Sequence, residues 1–182
     1  MTVPIKLDSS RRAFLKAGLM AGAGLTLVGY WQNAQGVIAR PASAFSPSVW
    51  LSIDEQGTIT VAVAKAEMGQ GVTTSFPMLV AEELEASWKD VRFQLAPVTP
   101  AYGVQSTGGS SSIRVSWELL RRAGATAREL LLQAAALQWS VPVNECLAEA
   151  GKIIHIPTAR TLYYGDLVER AASLPVPQNV KL

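Results

Sequence analysis

The sequence has one cysteine, Cys146, and one histidine, His155, among its 182 residues. A lone cysteine excludes an intrachain disulfide and any four-thiolate zinc or iron–sulfur site, so a cluster used by this protein would sit on another chain. His155 lies on a short apolar segment with no second histidine or carboxylate at ligand spacing, and reads as structural or surface-lying rather than as a metal ligand. Cys146 reads as a small buried residue. Long apolar runs are missing as well. The most apolar stretch, residues 17–31, contains four glycines and falls short of the ~20 strongly apolar residues of a membrane-spanning helix. There is no internal repeat, no Walker-type lysine and no Rossmann spacing. Charge of one sign is scarce outside one segment. Residues 1–44 carry five Lys/Arg and one acid, whereas residues 45–182 carry eleven basic and thirteen acidic side chains. That balance removes the electrostatic reason to expect nucleic acid as a partner.

The basic N-terminal segment has a purpose of its own. Asp8-Ser9-Ser10-Arg11-Arg12-Ala13-Phe14-Leu15-Lys16 places paired arginines and Phe-Leu ahead of the weak apolar stretch, and Ala42-Ser43-Ala44 is a small-x-small cleavage site. Residues 1–44 read as a twin-arginine signal peptide directing residues 45–182 to the periplasm. A Sec signal that happens to carry adjacent arginines is the other reading. The twin-arginine route exports folded proteins, often ones whose cofactor is inserted before export.

From Phe45 onward the pattern is α+β, a mixed sheet with packed helices. Val49-Trp50-Leu51-Ser52-Ile53 and Thr58-Ile59-Thr60-Val61-Ala62-Val63 predict two strands joined as a hairpin by Asp54-Glu55-Gln56-Gly57. Apolar spacing predicts a helix over residues 76–86, with Thr74 or Ser75 as N-cap and Pro77 in its first turn. Val91-Arg92-Phe93-Gln94-Leu95 alternates as a strand ending before Pro97. A long helix is expected over residues 112–139, with the stripe Ile113, Trp117, Leu120, Gly124, Ala127, Leu131 and Ala135. Gly124 weakens such a helix by ~1 kcal/mol relative to alanine, which points to close packing there. Arg114, Glu118, Arg121 and Arg128 share a stripe expected to be a solvated, ion-paired face. A short strand over residues 152–156 and a helix over residues 164–172 complete the chain.

Two loop-to-helix junctions carry the chemical signal: Glu67-Met68-Gly69-Gln70-Gly71-Val72-Thr73-Thr74 and Ser106-Thr107-Gly108-Gly109-Ser110-Ser111-Ser112. Each combines glycines, hydroxyls and the open N–H groups of a helix start, a combination that suits phosphate or pyrophosphate. Gln70 adds an amide able to donate to and accept from a heterocycle. The plainer reading, a Gly-Gln-Gly turn and a serine N-cap, stays open on spacing alone.

These segments, together with Ala81-Glu82-Glu83-Leu84 and Leu120-Arg121-Arg122-Ala123-Gly124-Ala125, resemble the isoquinoline oxidoreductase beta-subunit branch of the xanthine dehydrogenase/aldehyde oxidase family. The twin-arginine start and the closing Leu174-Pro175-Val176-Pro177 fit the same branch. The resemblance implies part of a molybdopterin-binding domain, with Gly69, Gln70, Gly71, Ser110, Ser111 and Ser112 contacting molybdopterin cytosine dinucleotide. It also implies hydroxylation of N-heteroaromatics or oxidation of aldehydes. Expected partners are an iron–sulfur small subunit with two 2Fe–2S clusters, the remainder of the large subunit, and a cytochrome c as electron acceptor. The family's catalytic glutamate belongs to a later segment than this chain holds. No catalytic base is therefore assigned to Glu67, Glu82, Glu83 or Glu85, and no metal ligand is assigned either. A periplasmic remnant or small binding module without molybdenum or catalysis is the alternative.

Overall fold

The computed structural model describes residues 44–182; apart from Ala44, the expected signal segment lies outside them. Four strands, β1 (Phe45–Ser48), β2 (Leu51–Ile53), β3 (Ile59–Val63) and β4 (Val91–Leu95), form one sheet in that order. The expected hairpin is β2–β3, antiparallel with Leu51 opposite Val61 and Ile53 opposite Ile59. Its turn is locked by Asp54, whose Oδ1 accepts from the backbone N–H of Gln56 at 3.0 Å and Thr58 at 2.8 Å. Val49 and Trp50, expected in the first strand, instead form the turn between β1 and β2. Strand β1, Phe-Ser-Pro-Ser, was hidden by its proline, which is tolerated because β1 lies at the sheet edge.

Between β3 and β4 runs helix α1 (Val72–Leu84), and these two strands pair in parallel as such a crossover allows. The helix begins about one turn earlier than its apolar spacing predicts. Thr74 and Ser75 lie inside it, Gly71 is the N-cap, and Pro77 sits beyond the first turn. Helix α2 spans Ser112–Trp139 as expected. Its buried stripe runs through Leu120, Ala127, Leu131 and Ala135, but Trp117 at its start is 46% exposed. The packing reason for Gly124 is direct: a Cβ there would lie 2.6 Å from the carbonyl oxygen of Val80 on α1. The two helices cross at this point and, with the last helix of the chain, pack against the sheet, whose Leu51, Ile53, Ile59 and Val61 are fully buried.

The arginine stripe of α2 is not simply solvated. Arg121 Nε donates to Glu83 Oε1 at 2.6 Å, and Arg128 donates to the Glu83 carbonyl at 2.7 Å and to the Lys181 carbonyl at 2.7 Å. Glu83, only 5% exposed, is neutralised between two helices, an arrangement that a single-helix pattern does not show. Only the Glu118–Arg122 pair, four residues apart, is of the solvated kind.

A second, antiparallel sheet follows, β5 (Cys146–Glu149), β6 (Lys152–His155) and β7 (Arg160–Tyr163), and then helix α3 (Tyr164–Ala172). The β5–β6 turn uses Ala150 at φ 47° and Gly151 at φ 81°, both in the left-handed region that two-residue hairpins need. Cys146 begins β5 and is partly exposed rather than buried. His155 is buried: Nε2 lies 2.9 Å from Glu145 Oε2 and Nδ1 2.7 Å from Thr158 Oγ1. The turns bring to it a carboxylate that sequence spacing did not reveal. Among the described residues no helix is long and apolar enough to cross a membrane.

Candidate functional site

The first expected loop leaves β3 and enters α1. Gly69 (φ 94°) and Gly71 (φ 81°) both take left-handed conformations, with open space where a Cβ would stand. These turns aim successive N–H groups inward, and the group they meet is Glu67. Its Oε1 accepts from Gly69 N at 2.8 Å and Gly71 N at 3.0 Å, while its Oε2 accepts from Thr73 N at 3.1 Å and Thr73 Oγ1 at 2.9 Å. The backbone N–H groups of Thr73 and Gly71 hold the exposed carboxyl well below its ordinary 4.5, at about 2, with smaller help from the Thr73 hydroxyl and Gly69 N–H. The start of α1 is thus filled by an anion of its own. A phosphate there would have to displace a carboxylate with four donors. Gln70, in contrast, folds over the loop: Oε1 accepts from Met68 N at 2.6 Å and Nε2 donates to the Ala66 carbonyl at 2.7 Å. One amide hydrogen and one lone pair are left for a ligand edge.

The second loop is brought beside the first by residues just after β3. The Lys65 ammonium donates to the carbonyls of Val104 at 2.7 Å and Ser106 at 2.9 Å, and Ala66 N–H donates to Thr107 Oγ1 at 2.9 Å. Gln105 holds the near side through Thr99 N and the Pro97 carbonyl, each at 2.9 Å. Gly109 (φ 61°) and Ser110 (φ 51°) then turn the chain into α2. The hydroxyl of Ser111, the N-cap, donates to the Gly108 carbonyl at 2.8 Å, so no side chain caps α2, and its first turn holds no acid. Arg114 lies in that turn, exposed. The two helix starts therefore differ. That of α1 carries its own carboxylate, whereas that of α2 offers N–H groups, serine hydroxyls and positive charge to an incoming anion.

Gly69, Gln70, Gly71, Ser110, Ser111 and Ser112 thus lie on two adjacent loops joined through residues 65–66 and 104–107. Sequence reasoning missed Lys65, Glu67 and Thr107 as the parts that shape and join them. Glu67 stands two, four and six residues before the N–H groups it binds, a spacing that could have disclosed its capping role. The partners of Lys65 lie 39 and 41 residues away, and no local signal points to them. The donor set suits a ligand with a heterocyclic edge at Gln70 and a phosphate at the α2 start. A groove of about 440 Å³ on the outer face of α1, between Met78 and Trp88, holds none of the six residues. Among the described residues no group of three His, Cys, Asp or Glu side chains could hold a metal ion.

The family described as molybdopterin cofactor-binding domain matches residues 6–182. The beta subunit of isoquinoline 1-oxidoreductase from Brevundimonas diminuta is 35% identical over 189 residues, which cover 98% of this chain and 24% of that protein. The membrane-bound aldehyde dehydrogenase [pyrroloquinoline-quinone] of Gluconacetobacter polyoxogenes is 32% identical over 176 residues, covering 88% of this chain and 21% of that protein. The chain thus spans about a quarter of the length of the curated relatives it matches. Among solved structures, quinoline 2-oxidoreductase from Pseudomonas putida 86 superimposes on 65% of this chain and 15% of that one, with a TM-score of 0.53 at 22% identity, a likeness of fold.

Proposed function

Since this chain belongs to the molybdopterin cofactor-binding domain family, we propose that it forms one wall of the cofactor site in the large subunit of an oxidoreductase acting on N-heteroaromatics or aldehydes. The observation that carries this reading is the pairing of two different loops. An amide-bearing Gly-Gln-Gly loop stands beside a helix start that no side chain caps, and hydrogen bonds from Lys65 and Ala66 join the two. Gly69, Gln70 and Gly71 would hold the pterin edge, and Ser110, Ser111 and Ser112 the phosphates. When bound, the cofactor supplies the molybdenum that exchanges oxygen and electrons with substrate. This chain's residues bind and orient the cofactor, and the glycines let it approach the backbone.

The finer parts of the reading follow from the same resemblance: a cytosine dinucleotide form of the cofactor, an iron–sulfur small subunit carrying two 2Fe–2S clusters, a cytochrome c acceptor and twin-arginine export to the periplasm. The relatives' names support a multi-subunit assembly, since the Brevundimonas protein is itself a subunit.

The test is cofactor content. The chain completed by the remainder of the large subunit, with and without Gln70→Ala and produced with the molybdenum-cofactor pathway, is compared for molybdenum by mass spectrometry and for pterin by fluorescence after oxidation. Gln70 is exposed, so its loss should leave the fold intact while both contents fall together. Equal contents in parent and variant would return the loop to a plain turn.

A further inference from the structure

We propose, resting on the cofactor reading above, that Lys65 is a positioning residue of the site. It fixes the spacing of the two loops and supplies the positive charge that favours the ligand's phosphates. Lys65 is 6% exposed, and an ammonium taken out of water is costly unless its donors and its charge are both answered. Two donors are answered by the Val104 and Ser106 carbonyls. These are neutral acceptors, and Lys65 forms no salt bridge to a carboxylate among the described residues. Glu67, two residues away, spends its oxygens on Gly69, Gly71 and Thr73. The result is a division of charge, an internal anion at the start of α1 and a buried cation beneath the loop that leads into α2.

Geometry supplies the second part. The carbonyls of Val104 and Ser106 come from alternate residues, so a single ammonium accepted by both sets the curvature of the loop there. The neighbouring Ala66–Thr107 hydrogen bond adds a third connection between the same segments. Among the described residues no other hydrogen bond joins residues 64–71 to residues 103–112. Removing Lys65 therefore takes away two of the three bonds between the loops and the buried charge, leaving only the exposed Arg114, whereas removing the Thr107 hydroxyl takes one bond and no charge.

That difference makes the proposal testable without an assembled enzyme. Inorganic pyrophosphate serves as the probe, titrated calorimetrically into the parent chain and into Lys65→Met, Lys65→Arg and Thr107→Val, with amide hydrogen exchange measured over residues 103–108. Lys65→Met should speed exchange in that stretch and weaken pyrophosphate binding by about tenfold or more, as expected for losing a charge-assisted contact. Lys65→Arg, which keeps the charge and two donors, should restore binding to within about threefold. Thr107→Val, which loses one tether and no charge, should speed exchange and weaken binding by less than Lys65→Met does, a result that separates charge from tethering. If Lys65→Met fails to fold, Lys65→Gln, which keeps two N–H donors without the charge, takes its place in the comparison. Parent-like affinity and exchange in Lys65→Met, or a Lys65→Arg chain as weak as a neutral one, would overturn the proposal. A parent chain that takes up no pyrophosphate would overturn the cofactor reading itself, and the positioning role with it.

Discussion

Replacing Gly124 by alanine opposes two effects of known size, and the structure decides which wins. Helix propensity favours alanine by about 1 kcal/mol in a helix interior. Against this, the added Cβ would stand 2.6 Å from the Val80 carbonyl oxygen, 3.3 Å from its carbon and 3.0 Å from Glu83 Cβ. The first obstacle is backbone in the middle of α1, and no rotamer change moves it. The helices must separate by roughly half an ångström or more to reach ordinary contact. That movement also pulls Glu83 away from Arg121, now 2.6 Å apart. Overpacking costs about 1–3 kcal/mol, and with backbone as the obstacle the upper part of that range, about 2–3 kcal/mol, applies; subtracting the propensity gain of about 1 kcal/mol leaves a net loss of about 1–2 kcal/mol. For a folded part of this size the midpoint of thermal unfolding should fall by about 3–10 °C. Circular dichroism of parent and variant during heating measures it. A rise in Tm, the sign that propensity alone demands, would show that α1 and α2 do not cross at Gly124 as described.

Glu67→Gln should flatten the acid limb of stability. A carboxyl held at about 2 when folded and near 4.5 when unfolded contributes stability above pH 4.5 that disappears as pH falls toward 2. Urea midpoints of parent and variant should therefore converge across that window, and parallel curves would show that the carboxylate does not cap α1. Replacing Arg11 and Arg12 together by lysine keeps the charge but removes the guanidinium pair. Fractionation should then find the precursor retained in the cytoplasm, and unchanged periplasmic yield would rule out the twin-arginine route.

What could be read from the sequence divides along the range of the interactions. Helix α2 was legible because its signal is local and long, with apolar spacing sustained over 28 residues. The β2–β3 hairpin was legible because Asp54 closes its turn within four residues. Strands β5 and β7 were not, since each buries little: β5 presents only Ala148 to the interior and β7 is mostly exposed. The start of α1 was misplaced for a different reason. Thr74 and Ser75 are good capping residues by type, but the cap comes from Glu67, outside the helix, and glycines in left-handed conformations curve the chain back to it. Capping statistics weigh the residue at the boundary, and here the carboxylate lies four residues before it.

The site shows the same division more sharply. Both glycine-containing loops could be found by composition, and both look like anion cradles when read one at a time. Their difference depends on where two charges go. Glu67 is adjacent to its loop in sequence and turns a would-be phosphate site into a closed, self-capped turn. Lys65 reaches a loop about 40 residues away and leaves the start of α2 as the one with positive charge nearby. A motif of glycines and serines specifies donors, whereas the neighbouring ionised side chains determine whether those donors remain available. The order Lys65-Ala66-Glu67, a cation and an anion two residues apart at the end of β3, sends each to a different loop. This places both helix starts and their opposite electrostatic characters under the control of one three-residue segment.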